Sequence, residues 1–178
     1  MTYCDLEEKT GVRLQCVVGL VPKSIEDGMI RKFESKDIEK VMEIWLDTNI
    51  QAHNFISKGY WESNFDLVKS MLPDAEIYVY ESERKIVAFV GVDNGYIVGL
   101  FVSADTQSKG LGKQLLDKIK QRYSALSLTV YKKNIKAVNF YQRELFVIKQ
   151  EQIDENTDEA EYLMVWNQPS AGRERRED

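Results

Sequence analysis

The chain has 178 residues, enough for one compact domain with a core of its own. Its 43% hydrophobic and 30% charged residues are the balance of a soluble globular protein. A net charge of −5 disfavours a nucleic-acid partner, whose phosphates call for a basic face, and suits a cationic or amine-bearing substrate better.

Residues 1–28 carry neither helical nor alternating periodicity and read as an extension ahead of the domain. Cys4 and Cys16 lie here; two thiols make no disulfide framework, and a reduced, cytoplasmic protein is the simpler expectation. The longest apolar run, 14–21, is broken by Gln15 and too short for a membrane span. Acidic residues precede it, where a signal peptide would have basic ones. With His53 the only histidine and no CxxC, no metal is expected.

The domain, 29–167, opens on a strand-like stretch at 29–33. Ser35 is placed to cap a helix whose apolar face holds Ile38, Val41, Met42, Trp45 and Ile50. A looser segment with His53, Phe55 and Ile56 follows. The spacing of Phe65, Val68 and Met71 then predicts a second helix over 61–71, ended by Pro73. The period changes to two at 77–81 and 86–92, strands joined by a polar turn. Asp93-Asn94-Gly95 is a hairpin turn leading into a strand at 96–102. Next come a helix over 108–123, an alternating strand with Leu126, Leu128 and Val130, and a short helix carrying Ile135, Val138, Phe140 and Tyr141. Two strands, 147–153 and 161–166, flank a polar hairpin at 154–158. The tail, 168–178, is polar and charged and is expected to be disordered. This order predicts one mixed α/β sheet with an antiparallel meander, not a doubly wound parallel sheet.

The sharpest chemical signal is Gln107-Ser108-Lys109-Gly110-Leu111-Gly112-Lys113, where an apolar strand ending in Leu100-Phe101-Val102 turns into an amphipathic helix. A helix N-terminus leaves its first amides without partners and carries about half a positive charge. Glycines there remove side chains that would hold an anion away, and Lys109 and Lys113 add charge, so a diphosphate could sit without a metal. A plain glycine-bearing loop is the alternative. The third glycine of a dinucleotide fingerprint is absent, as is the lysine spacing of a P-loop, which disfavours a nucleotide-dependent kinase or ATPase.

Gln107-x-x-Gly110-x-Gly112 resembles the Q/R-x-x-G-x-G/A signature of the GNAT superfamily of acyl-CoA-dependent N-acyltransferases. The run from Asn134 to Phe146, with Ala137, Phe140 and Tyr141, resembles that family's N-x-x-A-x-x-F-Y-x-x-x-G-F. Ala52-His53-Asn54-Phe55-Ile56 is similar to a subgroup of small bacterial acetyltransferases. The resemblance implies a central, mostly antiparallel, splayed sheet flanked by about four helices. It implies direct acetyl transfer from acetyl-CoA to a primary amine of a small molecule or peptide; a catalytically silent acyl-CoA-binding module is the alternative. Members are often dimers, though no stripe here marks an interface.

By the same resemblance, backbone around Leu100, Phe101 and Val102 pairs with pantetheine and polarises the thioester, and Gln107 to Lys113 hold the diphosphate. Tyr141 is the candidate general acid for the departing thiolate, the alternative being a tyrosine packed beside Phe140. Asn134 can cap its helix, bind pantetheine, or do both. His53 is a candidate base or a structural hydrogen-bonding group. Phe55, Tyr60 and Trp61 line the acceptor site or fill core, and Glu43 and Asp47 attract the amine or merely face solvent. One departure stands out: Leu145 replaces the glycine that would end the last helix in a left-handed conformation, a substitution costing about 1–2 kcal/mol.

Overall fold

A computed structural model describes residues 28–169. The expected N-terminal extension and charged tail fall almost wholly outside these residues. The described residues form one seven-stranded sheet in the order β1-β2-β3-β4-β5-β7-β6. Its strands are β1 (Met29–Lys32), β2 (Glu76–Ser82), β3 (Lys85–Asp93), β4 (Tyr96–Val102), β5 (Ala125–Tyr131), β6 (Val147–Asp154) and β7 (Glu159–Asn167). The helices are α1 (Ile38–Ala52), α2 (Lys58–Ser63), α3 (Phe65–Met71), α4 (Leu111–Lys120) and α5 (Ile135–Arg143). All neighbouring strands are antiparallel except β4 and β5. None of the described helices is long and apolar enough to cross a membrane.

Helices cover both faces, so β2 is apolar at successive positions instead of alternating with polar ones. Tyr78 and Tyr80 join Val90, Val92, Leu126 and Leu128 under Leu111, Leu115, Leu116 and Ile119 of α4 and Val138 of α5. Ile77 and Val79 join Phe89 on the opposite face under Val41, Met42 and Trp45 of α1 and Trp61 of α2.

Three local features depart from the sequence reading. The single helix expected over 61–71 is two, separated at Asn64 (φ −90°, ψ −4°), whose side-chain amide donates to the Tyr60 carbonyl at 2.7 Å. Ser35 does not cap α1; it opens a 3-10 turn in which the buried Asp37 carboxylate accepts the Glu34 amide at 2.8 Å. Arg31 holds that carboxylate with two hydrogen bonds, 2.6 and 3.0 Å, and bonds Glu81 at 2.7 Å, tying β1 and β2 to the start of α1. Burial opposes the Asp37 charge, but Arg31 and the Glu34 amide outweigh it and its pKa is lowered. Helix α4 begins at Leu111 and not at 108, since Ser108 has φ +62°.

The end of α5 resolves the Leu145 question. The Phe146 amide bonds the Tyr141 carbonyl at 2.9 Å and the Leu145 amide bonds the Gln142 carbonyl at 3.0 Å, the paired bonds of a Schellman motif. Leu145 therefore occupies the glycine's left-handed place, with φ +68°, and Lys120 adds a bond to the Glu144 carbonyl at 2.7 Å. Its side chain is 67% exposed, so truncation forfeits little burial. Leu145→Gly is expected to stabilise the fold by about 1 kcal/mol and raise Tm by roughly 2–4 °C. An unchanged or lower melting temperature would contradict a strained cap.

Candidate active site

Strands β4 and β5 run parallel but share one register pair, Tyr96 with Ser127, beside a Ser127 amide bond to the Gly95 carbonyl at 3.0 Å. The Tyr96 hydroxyl and Thr129 Oγ1, 2.8 Å apart, close the same end. Beyond it β4 continues against β3 as far as Val102, and β5 continues against β7 as far as Tyr131. The two strands therefore part towards their C-terminal ends, and a cleft opens in mid-sheet. Its β4 wall is Leu100 and Val102, packed towards α4 and α5, and Phe101, stacked on Phe89 at 4.8 Å on the other face. The Phe101 ring lies over Gly99, where an added Cβ would come within 2.3 Å of it.

From Val102 the chain turns at once into the mouth of α4. Gln107 Nε2 donates to the Val102 carbonyl at 3.0 Å, folding the turn back on the strand end. Gly110 is the N-cap, with φ +82° and ψ 1°, and no side chain caps the helix. The first intrahelical bond runs from the Gln114 amide to the Gly110 carbonyl, 3.1 Å, so the amides of Leu111, Gly112 and Lys113 point out of the helix end. The buried Leu111 side chain anchors that end in the core.

The two glycines serve different needs. Gly110 has no atom within 4 Å of where a Cβ would be, so open space lies before it and its backbone angle is what requires glycine. At Gly112 a Cβ would meet Leu100 at 3.3 Å and Phe140 at 3.6 Å; here the missing side chain lets α4 press against β4 and α5. Lys113 also differs from expectation. Its ammonium turns back to Asp117 (3.0 Å) and Glu144 (3.2 Å), so its charge is shared along the helix and not offered to the mouth. Lys109 is exposed beside the mouth.

Tyr141 projects from α5 into the core, its ring edge-on to Phe140 at 5.1 Å and Phe146 at 5.4 Å. Burial, with Tyr96 nearby, raises its phenol well above the usual value, so it keeps its proton throughout the neutral range.

His53, at the end of α1, reaches across the end of the sheet to α5. Asn134 caps α5 through Oδ1, which accepts the Ala137 amide at 3.2 Å, and its Nδ2 lies 3.1 Å from His53 Nε2. Both polar atoms of Asn134 are thus engaged, which favours capping over pantetheine contact. The imidazole stands among Tyr131 (5.2 Å), Trp61 (5.4 Å) and Phe55 (5.7 Å). Burial pulls its pKa down to about 4, against a small opposing effect of the Asn49 carbonyl. An imidazole this weakly basic, with one nitrogen already facing a donor, is poorly suited to take a proton from an amine.

Two neighbours carry no signal that the sequence reading used. The Tyr131 hydroxyl donates to Asp154 at 2.5 Å, and Asp154 also accepts from the Asn156 amide (2.9 Å) and the Thr157 hydroxyl (2.9 Å), organising the β6–β7 turn. Burial opposes the Asp154 charge, but these donors leave its pKa lowered. Tyr60 is raised, first by burial and then by the Asp154 charge. Tyr131 was legible only as the outward residue after Val130 on an alternating strand, and Asp154 as the first residue of an Asp-x-Asn turn. Phe55 meets the Tyr131 ring edge-on at 5.7 Å, and Tyr60 lies within reach of the Asp154 charge; Glu43 and Asp47 are exposed on α1.

Residues 47–160 match the family model described as an acetyltransferase (GNAT) domain. The chain is 32% identical over 140 residues to the peptidyl-lysine N-acetyltransferase YiaC of Escherichia coli, covering 78% of this chain and 96% of that one. It is 30% identical over 115 residues to the peptidyl-lysine N-acetyltransferase YjaB of the same organism, covering 64% and 78%. The apo solution structure of Escherichia coli YjaB superposes with a TM-score of 0.71 at 25% identity, over 78% of this chain and 97% of that one. The fold is also that of the PaiA N-acetyltransferase of Thermoplasma acidophilum, solved with coenzyme A (TM-score 0.67, 19% identity, 79% and 98% covered).

Proposed function

The chain belongs to the GNAT acetyltransferase family, and from that premise we propose that it moves acetyl from acetyl-CoA directly to the side-chain amine of a peptide lysine. That it is an acyltransferase follows from the family; the donor and the acceptor are the proposal. The observation that carries it is the mouth of α4, capped by a left-handed Gly110, opening where β4 and β5 part. Its outward amides and the open space before Gly110 fit a diphosphate, and the cleft fits the pantetheine arm. The names of YiaC and YjaB support a lysine acceptor.

Acetyl-CoA supplies a thioester, already activated towards an amine. A backbone amide among residues 100–102 donates to its carbonyl oxygen, a contact worth about 3 kcal/mol as charge grows there. Tyr141 gives its phenolic proton to the sulfur as the thiolate leaves, and the proton that the amine nitrogen sheds on forming the amide restores the phenol. The acceptor must first lose its own proton, which for a lysine costs about 4–5 kcal/mol at pH 7. His53 does not meet that need, for the reasons given above, and release to solvent through the open cleft does.

The test is thiol release from acetyl-CoA across lysine peptides, polyamines and amino acids, beside thermal shift. Acetyl-CoA is expected to stabilise the protein without magnesium, Mg-ATP to do little, and lysine peptides to be acetylated. Stabilisation by acetyl-CoA with no turnover on any amine would replace this reading with that of an acyl-CoA sensor.

A further inference from the structure

His53 is the only histidine of the chain, and its ring faces two layers of the molecule at once. It belongs to the segment between α1 and α2 on one face of the sheet, while Asn134 caps α5 on the other. The cap settles the chemistry of the link. Because Asn134 Oδ1 is committed to the Ala137 amide, the atom 3.1 Å from His53 Nε2 is the side-chain nitrogen, which can only donate. Nε2 therefore accepts, and the proton of the neutral ring sits on Nδ1. That nitrogen is buried and makes no hydrogen bond of ordinary geometry among the described residues, while the Asn49 carbonyl favours a proton on the ring.

The ring is held in this orientation by its neighbours. Phe55 and Tyr131 meet it edge-on and Trp61 covers its face, with Tyr131 itself fixed by its hydroxyl to Asp154. Asn134 in turn precedes Tyr141 by about two helical turns on the same short helix. A shift of the cap moves the whole of α5, and the phenol with it.

We propose that His53 is a positioning residue. By accepting the Asn134 amide it fixes the first turn of α5, and so fixes where Tyr141 presents its hydroxyl, while joining the α1–α2 segment to that helix across the end of the sheet. This rests on the acetyl-transfer reading with Tyr141 as acid. It also explains why the residue is histidine in its neutral form: a protonated ring would turn a second donor towards the Asn134 nitrogen, and burial already holds the ring neutral at pH 7.

The test is a double-mutant cycle on kcat at saturating substrates, with acetyl-CoA affinity measured separately. His53→Ala is expected to lower kcat about 10-fold or more, with the Kd for acetyl-CoA changed by less than about 2-fold. In a Tyr141→Phe background the same change is expected to alter kcat less than about 2-fold, since the group it positions is gone. His53→Gln, whose amide oxygen reaches the place of Nε2, should recover kcat to within about 3-fold of wild type. Equal losses in both backgrounds, or a glutamine variant no better than alanine, would reduce His53 to a packing residue and overturn the proposal. Nitrogen NMR of the wild-type ring decides the link without any turnover or variant. An unprotonated, hydrogen-bonded Nε2 is expected near neutral pH, and a protonated one refutes it. A wild-type protein inert towards every amine would instead remove the acetyl-transfer reading and leave that spectrum to stand by itself.

Discussion

Replacing Tyr141 by phenylalanine is expected to lower kcat about 10²–10⁴-fold while leaving the fold and acetyl-CoA affinity nearly intact. The ring keeps its edge-on packing against Phe140 and Phe146, because phenylalanine has the same shape. Only the hydroxyl is lost, and with it the proton that the departing sulfur needs. A phenol raised by burial is a weaker acid than a thiol, whose reference pKa is about 8.5, so passing its proton to a fully solvated thiolate is uphill. It becomes favourable because the same poorly solvated surroundings raise the proton affinity of the sulfur as negative charge builds there, and the proton therefore moves late. The sign of the pH dependence follows. The active form is the protonated phenol, and a raised pKa keeps it protonated beyond the ordinary phenol range, so kcat should show no fall through about pH 9–10 and should rise there with the free-amine fraction of the lysine. A wild-type kcat falling below pH 9 through an ionisation that Tyr141→Phe abolishes would contradict burial of the acid. A variant within about 2-fold of wild type would make Tyr141 a core residue, and the chain a candidate for the silent module.

What the sequence disclosed and what it hid follow a physical line. Asp93-Asn94-Gly95 was readable because Asn94 (φ 48°) and Gly95 (φ 85°) are residue types that tolerate positive φ. The β2–β3 turn makes the same demand of Glu83 (φ 50°) and Arg84 (φ 62°), and nothing in those side chains announces it. The break at Asn64 was hidden because Trp61 and Phe65 keep helical spacing straight through it; a local hydrogen bond to Tyr60 overrides the period. At the site, the glycines declared the mouth of α4, a local property. The turning of Lys113 to Glu144, the closure of Asn134 on His53 and the meeting of Tyr131 with Asp154 join residues 31, 81 and 23 positions apart. Only the tertiary fold brings such partners together, and they are what fixes the charge and proton states of the site.

Gly110→Val is expected to weaken acetyl-CoA binding about 100-fold or more, an effect far larger on the ligand than on the fold. Valine meets no neighbour there, since nothing lies within 4 Å of its Cβ position; the cost is one of backbone alone. A β-branched residue resists φ +82°, and the strain of about 1–2 kcal/mol is relieved by rotating the cap. That rotation turns the Leu111 and Gly112 amides off the line of the diphosphate. Hydrogen bonds to a charged group contribute about 1.5–3 kcal/mol each, so misaligning two of them outweighs the local strain. Gly112→Ala provides the contrast. Its Cβ needs only a few tenths of an ångström from Leu100, leaves the cap angle alone, and is expected to weaken binding less than about 10-fold. Acetyl-pantetheine, which lacks the diphosphate, separates mouth from cleft: its weaker binding should be the same in wild type and Gly110→Val. If both ligands lose affinity equally, the diphosphate does not rest on α4, and the helix mouth is no more than the structural entry to a helix.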